Sequence, residues 1–348
     1  MCSESAARAG EQLAGGCNAL FNGWCGDWKE KKLVHKYHRN YNCNFLCEKC
    51  LAHKVHNWLN AFNFGPDAGW WSTILSHAQY LLTHTPNQRS PYTRFRSWTI
   101  FRNRDDLVHM LYLGFGKDIA GQILYDMALM LVSLGVAPSF DEALMYLWGQ
   151  CILWARQHGY VMTLKVFTVH TISWSKQSDY PTLQETMKAK TAEVVLRFCL
   201  EYAVDVVERG VDTSTYSKTR GSMAALMLGF LHTIDHGRIL LSPSEGEQAM
   251  SYGIHFLRLY QALAMEALAA LESRWKLRPK LHQFAHLCIE IPRTLENPAR
   301  QNLYWAEDAV GKAKKVALKC HRRLVPLRVL QRRSMWLSQH WKEHHTDW

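Results

Sequence analysis

The sequence predicts a predominantly helical α/β protein. Two observations carry that expectation: an opening stretch without sustained helical periodicity, and a long central block in which apolar residues recur at three- and four-residue spacing. From Asn18 to Cys50, short apolar clusters (ALF, LV, FL) sit among Gly, Asn and charged residues, a pattern of short strands and turns. Residues 61–104 are rich in Pro, Asn, Ser, Thr and aromatics, with GPD at 65–67 and TPN at 85–87, so loop with short helices is expected there. From Asp105 onward the periodicity predicts helices over Ile119–Leu134, Phe140–Gln157, Thr186–Arg209, Met223–His236 and Gln248–Trp275. Ser139 is placed to cap the second of these together with Glu142, and Gly135 and Gly210 stand where left-handed helix ends are needed. After Pro279 come a helix over Leu281–Glu290 and an NPAR turn at 297–300. A long basic helix then runs from near Leu303 toward Trp341, and Pro326 should kink or interrupt it.

With 348 residues, 48% apolar and 20% charged, the chain is long enough for a sizeable core, organised as two domains or as one with a large insertion. No apolar run reaches the roughly 18 residues of a membrane span; the best, Ile119–Ala137, is broken by Gln122 and Asp126. The opening MCSESAARAGEQLAGG lacks the basic start and apolar centre of a signal peptide, and the ten cysteines are scattered, so an intracellular, reducing location, nuclear or cytoplasmic, is expected. The net charge of +11 is concentrated: Gly311–Trp348 holds ten Lys or Arg against two acids. Such a segment attracts polyanions through counterion release, and nucleic acid is the partner it suggests first.

Three groups of residues carry possible chemistry. The acids Asp27 (in NGWCGDWKEKK), Asp106 (opening DDLVHMLYLGFGKD, with His109 three residues on) and Glu307 (in NLYWAEDAVGKAKK) each fall at an element boundary. Carboxylates converging from such distant positions can hold divalent cations for phosphodiester chemistry, although acids at helix starts are also favoured by the helix dipole alone. The segment CNFLCEKCLAHKVH contains a Cys-x-x-Cys pair, Cys47 and Cys50, suited to one tetrahedral zinc ion. Cys43 and His53 are the nearest further ligands, with His56 or remote residues as alternatives, and buried free thiols are the plainer reading. The terminal basic helix presents Lys312, Lys315 and Lys319 on one face and continues through Arg322, Arg323, Arg332 and Arg333, interleaved with Trp336 and Trp341, a stripe fitted to DNA phosphates. No Walker loop, Gly-x-Gly-x-x-Gly or Gly-x-Ser-x-Gly is present, which disfavours nucleoside-triphosphate hydrolysis and serine-hydrolase chemistry.

In order, GDWK at 26–29, the Cys-x-x-Cys segment, DDLVHMLYLG at 105–114, the helical block, PKLHQFAHL and NLYWAEDAVGKAKK resemble the catalytic region of eukaryotic DDE-type DNA transposases of the CACTA and Kyakuja-Dileera-Zisupton groups, and of transposon-derived proteins related to them. The resemblance implies an RNase H-like core interrupted by a large all-helical insertion, an Asp/Asp/Glu triad binding Mg²⁺ or Mn²⁺, and an accessory acid-x-x-His signature matched by Asp106 and His109. Glu307 matches the final Glu. Asp27 matches the first or the second Asp; in the second case Asp106 belongs to the accessory signature and the first Asp belongs upstream, where this chain has a Ser, Ala and Gly-rich stub. The expected layout is a disordered stub at 1–16, a strand-rich first part of the core at 17–118, a helical insertion at 119–279, and terminal helices with a basic tail at 280–348. The expected function is DNA binding, with metal-dependent strand cleavage and transfer through Asp27, Asp106 and Glu307, in a chain able to form homo-oligomers. The alternatives are a catalytically silent DNA-binding descendant and a helical protein-interaction scaffold.

Overall fold

The computed structural model describes residues 23–95 and 97–344; the side chains of 305–309, 322, 337 and 340–344 lie outside the described set, as does the stub expected at 1–16. Strand β1 (Trp24–Gly26) leads through Asp27 into helix α1 (Trp28–Val34), whose first turn is closed by the Asp27 carboxylate accepting from the Glu30 N–H at 2.6 Å. A long looped stretch with helix α2 (His77–Thr83) follows, and Ser76 and Gln79 form a reciprocal capping box there. Strand β2 (Asn103–Asp105) then returns parallel to β1, pairing Trp24 with Asn103, Cys25 with Arg104 and Gly26 with Asp105.

Past Asp106 the chain enters a π-helical turn, Val108–Phe115, that runs into α3 (Gly116–Ser133) across a kink at Gly114. A Cβ at Gly114 would sit 2.9 Å from the His109 carbonyl oxygen and 2.6 Å from Lys280, so the close approach requires glycine. Helices α4 (Phe140–Gln157), α5 (Ala189–Glu208), α6 (Thr215–His236), α7 (Pro243–Ala269) and α8 (Pro279–Thr294) complete the block; α4 and α5 pack on α3, and α5 to α8 pack in succession. The π-turn lies against α3, α5 and α8, and Phe115, Phe230, Phe256 and Phe284 meet there with ring centroids 5.0–6.0 Å apart. On α3, the buried Asp126 carboxylate is paired by Arg220, Arg274, Gln122 and the Tyr216 hydroxyl.

Residues up to Gln301 form one compact unit and Asn302–Trp348 a second. The second contains α9 (Tyr304–Ala317) and α10 (Val325–His344). The single long basic helix expected from Leu303 is therefore two, and Pro326 stands in the first turn of α10, where its missing N–H sacrifices no helical bond. No described helix is long and apolar enough to cross a membrane.

Most helical expectations hold: α4 has the bounds read from the sequence, Ser139 accepts from the Glu142 N–H, and Gly135 and Gly210 both have φ of +68° at helix ends. The strand-rich first part is corrected. The described sheet has two strands of three residues each, and no larger RNase H-like sheet stands among the described residues. Of the apolar clusters of that region, ALF lies outside the described residues, LV ends α1 with Leu33 exposed, and FL sits in a loop that buries Leu46. Asn40, Asn60 and Asn63 accept backbone N–H groups two residues on, which favours turns over ladder pairing.

His35 packs fully buried among Tyr37, Trp98, Tyr92 and Trp24, with Nδ1 2.8 Å from the Ser90 hydroxyl. Burial, reinforced by the Lys31 ammonium, pushes this imidazole down to about 4. Because the folded-state value is depressed, the stability contributed by the neutral ring is complete above about pH 6.5 and is lost as pH falls toward 4. Side-chain ¹⁵N spectra should show His35 titrating near pH 4; a midpoint near 6.5 would contradict the packed, neutral ring.

Candidate functional site

Two features occupy the first unit, and they share a wall. The first is a buried cluster of Cys47, Cys50, His282 and His286, whose ligand atoms all lie within 4.8 Å of one another. The loop from 38 to 76 brings the two thiols to α8, where His282 and His286, one helical turn apart, face the same way. Cys47 Sγ is 3.4 Å and Cys50 Sγ 3.3 Å from His286 Nε2, and Cys50 Sγ is 3.3 Å from His282 Nε2. Backbone N–H groups of Lys49 and Ala52 point at the Cys47 and Cys50 sulfurs, at 3.3 and 3.4 Å. His282 Nδ1 lies 3.1 Å from the Ala61 carbonyl, which leaves Nε2 as the ligand atom, and Trp70 closes the pocket with its ring against both imidazoles.

Burial alone would raise both thiols, and it drives Cys50 well up. The neighbouring Cys50 and the imidazoles outweigh it at Cys47, which is held well below the ordinary thiol range. Burial also lowers His282, favouring the neutral ring that a metal requires. Two soft sulfurs, two imidazoles and oriented partners behind them fit a closed, four-ligand site, so this cluster can hold a metal ion such as zinc.

The sequence locates half of this donor set and misassigns the other half. Cys43 bonds Asn40 and the His38 carbonyl, and His53 Nδ1 accepts from Val55 and His56 while its ring packs on Phe45; neither belongs to the cluster. The remote option is the one realised. The signal that finds it is the pair of histidines at i and i+4 in PKLHQFAHL, one face of one helix.

The second feature is a cleft of about 880 Å³ at the end of β1 and β2. Gly26 pairs with Asp105, so the next residue of each strand, Asp27 and Asp106, leaves the sheet at the same end, and both line the cleft with His109. Asp106 has a fully buried carboxylate; its Oδ2 lies 2.6 Å from His109 Nδ1 and accepts the His109 backbone N–H at 2.9 Å. Six cations, Lys29, Lys54, Lys117, Lys276, Arg278 and Lys280, line the same space against three acids, Asp27, Asp106 and Glu185. Lys280 donates to the His109 carbonyl, and burial followed by the Arg278 charge lowers its pKa, as burial does for Lys117.

Asp27 and Asp106 are thus brought together. Glu307 lies on α9 in the second unit, and its side chain is outside the described residues, as are those of Arg322 and Trp341. Lys312, Lys315, Lys319, Arg323, Arg332 and Arg333 are exposed on that unit. Among the described residues, the Cys47/Cys50/His282/His286 group is the one set of three or more ligands close enough to share an ion; the Mg²⁺ or Mn²⁺ site expected from Asp27 and Asp106 forms no such set. Three of the cleft cations come from one basic run, KLRPK at 276–280, which the sequence displays; Lys29, Lys54 and Lys117 come from separate positions that no linear pattern joins to it. No family model, no curated protein and no solved structure matches the chain.

Cobalt(II) titration followed by thiolate absorption separates the two ligand assignments. Cys50→Ser should abolish the tetrahedral signal and Cys43→Ser should leave it intact; the reverse result would restore the local assignment.

Proposed function

We propose that the protein binds DNA through this cleft and the basic C-terminal helices, on a core stapled by zinc, and that it descends from a DDE-type transposase. The observation that carries the reading is the convergence of six cations, Lys29, Lys54 and Lys117 with the basic run Lys276, Arg278 and Lys280, on the strand ends that present Asp27 and Asp106. A cleft with this balance of charge attracts phosphodiesters, and Trp28, Tyr41 and Phe62 in its lining offer faces for exposed bases. Lys312, Lys315 and Lys319 on α9 and Arg323, Arg332 and Arg333 beyond it add phosphate contacts. The zinc ion supplies structural closure: it ties the loop at 47–50 to α8, which carries the cleft residues Lys280 and Gln283.

Lys29 and Lys276 are exposed and line the cleft, so a double Lys29→Ala, Lys276→Ala variant should fold normally and bind duplex DNA more weakly. The slope of log K against log salt should fall by about 0.9 for each phosphate that the variant no longer neutralises. An unchanged slope and affinity would remove the cleft from the binding surface.

Strand cleavage by the same cleft is a second reading, favoured by the shared strand end of Asp27 and Asp106. A divalent ion held there would stabilise the leaving oxygen, with the cations holding the phosphates. Against it stand the structural duties of both acids, Asp27 as a helix cap and Asp106 as the partner of His109. Labelled DNA incubated with Mg²⁺ or Mn²⁺ decides between them: an active enzyme loses cleavage in Asp27→Asn and Glu307→Gln, and a silent descendant shows equal, background cutting in parent and variants while retaining DNA affinity.

A further inference from the structure

Lys49 and Gln283 hold matching places. Lys49 lies between Cys47 and Cys50, and Gln283 lies between His282 and His286, so each is carried on the backbone that a bound ion would fix. Both turn their polar ends away from the cluster toward one buried carboxylate. Lys49 Nζ donates to Asp105 Oδ2 at 3.3 Å and to Glu290 Oε1 at 2.8 Å, and Gln283 Nε2 donates to Asp105 Oδ1 at 2.5 Å. Lys31 of α1 is the third partner of Asp105. Asp105 ends β2, and the next residue holds His109 at the cleft. Lys49 is not part of the cleft lining, so its route to the cleft runs through Asp105.

We infer that Lys49 and Gln283 are positioning residues through which the Cys₂His₂ centre sets the geometry of the cleft. With an ion bound, the 47–50 loop and α8 are tied together, and both donors are aimed at Asp105. The end of β2 is then fixed, and Asp106 and His109 with it. Without the ion the two segments, more than 230 residues apart in sequence, keep the Lys49–Glu290 pair but lose the four-ligand anchor that fixes their backbones, and the aim of Lys49 and Gln283 at Asp105 loosens while Lys31 stays in place. Metal occupancy and phosphodiester binding are therefore coupled through one buried carboxylate. The part of this inference that concerns DNA rests on the proposed function; the part that concerns His109 does not.

The experiment uses the full chain loaded with zinc and compares the parent with Lys49→Met, which keeps the aliphatic stem and removes the charge, and with Lys49→Arg. Three quantities are read: zinc per chain, the ¹⁵N signals of the His109 ring, and affinity for a DNA duplex. Lys49→Met should retain zinc, shift the His109 Nδ1 signal and bind DNA about tenfold more weakly, within the range by which residues lying between two coupled sites modulate the coupling. Lys49→Arg should restore both, and chelating zinc from the parent should reproduce the His109 shift. If Lys49→Met loses zinc or fails to fold, Asp105→Asn breaks the same link from the strand side, and it should move the His109 signal with zinc retained. An unmoved His109 signal in a folded, zinc-loaded variant overturns the inference. A moved signal with unchanged DNA affinity keeps the coupling and overturns the cleft as the DNA site.

Discussion

The buried carboxylate of Asp105 is the constraint on which the rest of the first unit depends. A charge taken out of water is tolerated only when its partners are in place, and here they arrive from three directions: Lys31 on α1, Lys49 on the thiol-bearing loop and Gln283 on α8. Burial acts to raise the acid, but the two ammonium groups and the hydrogen bonds outweigh it and hold it at about 2. An ion pair of this kind adds little net stability over a well-packed apolar contact. Its effect is to specify which segments meet, because a misplaced partner would leave an uncompensated charge inside. Loop, strand and helix are locked in one arrangement, and the Asp106–His109 pair is displayed at its edge.

That arrangement explains how a region so poor in regular structure is ordered. Between α1 and β2 the chain has few ladders to satisfy its backbone, and it relies on asparagine turns, on Arg39 donating to the Glu48 and Cys50 carbonyls, and on the thiol–imidazole cluster. A four-ligand metal site does for such a loop what a core does for a helix: it supplies a large favourable free energy at one point in place of many small ones spread over a surface.

The cleft is made by the same economy of elements. Two short parallel strands set the register of Asp27 and Asp106, and a π-turn, with its wider winding and the glycine kink at 114, brings His109 beside α8. Four of the cations are held from behind: Lys54 and Lys280 each donate to a carbonyl, Lys117 donates to three carbonyl oxygens, and Arg278 grips Asp118 through two nitrogens. Their charge is thus oriented in advance, which lowers the entropy lost when an anion is bound.

Helix positions, caps and breaks were legible in the sequence because they depend on neighbours within a few residues: the apolar period of α4, Ser139 at its start, the glycines at 135 and 210 with their positive φ, and Pro326 at the division of the basic segment. The concentration of charge near the C-terminus and the Cys47/Cys50 pair were equally local. His282 and His286 as partners of those thiols, the pairing of β1 with β2 that sets Asp27 beside Asp106, and the meeting of Lys29, Lys54 and Lys117 with the basic run at 276–280 were decided by tertiary structure alone. The strand content expected over 17–118 is reduced, among the described residues, to two strands of three residues for the same reason. Short apolar clusters have no preference between ladder and buried loop until a long-range anchor chooses, and here the anchors are a metal-type cluster and a buried acid whose partners lie far along the chain.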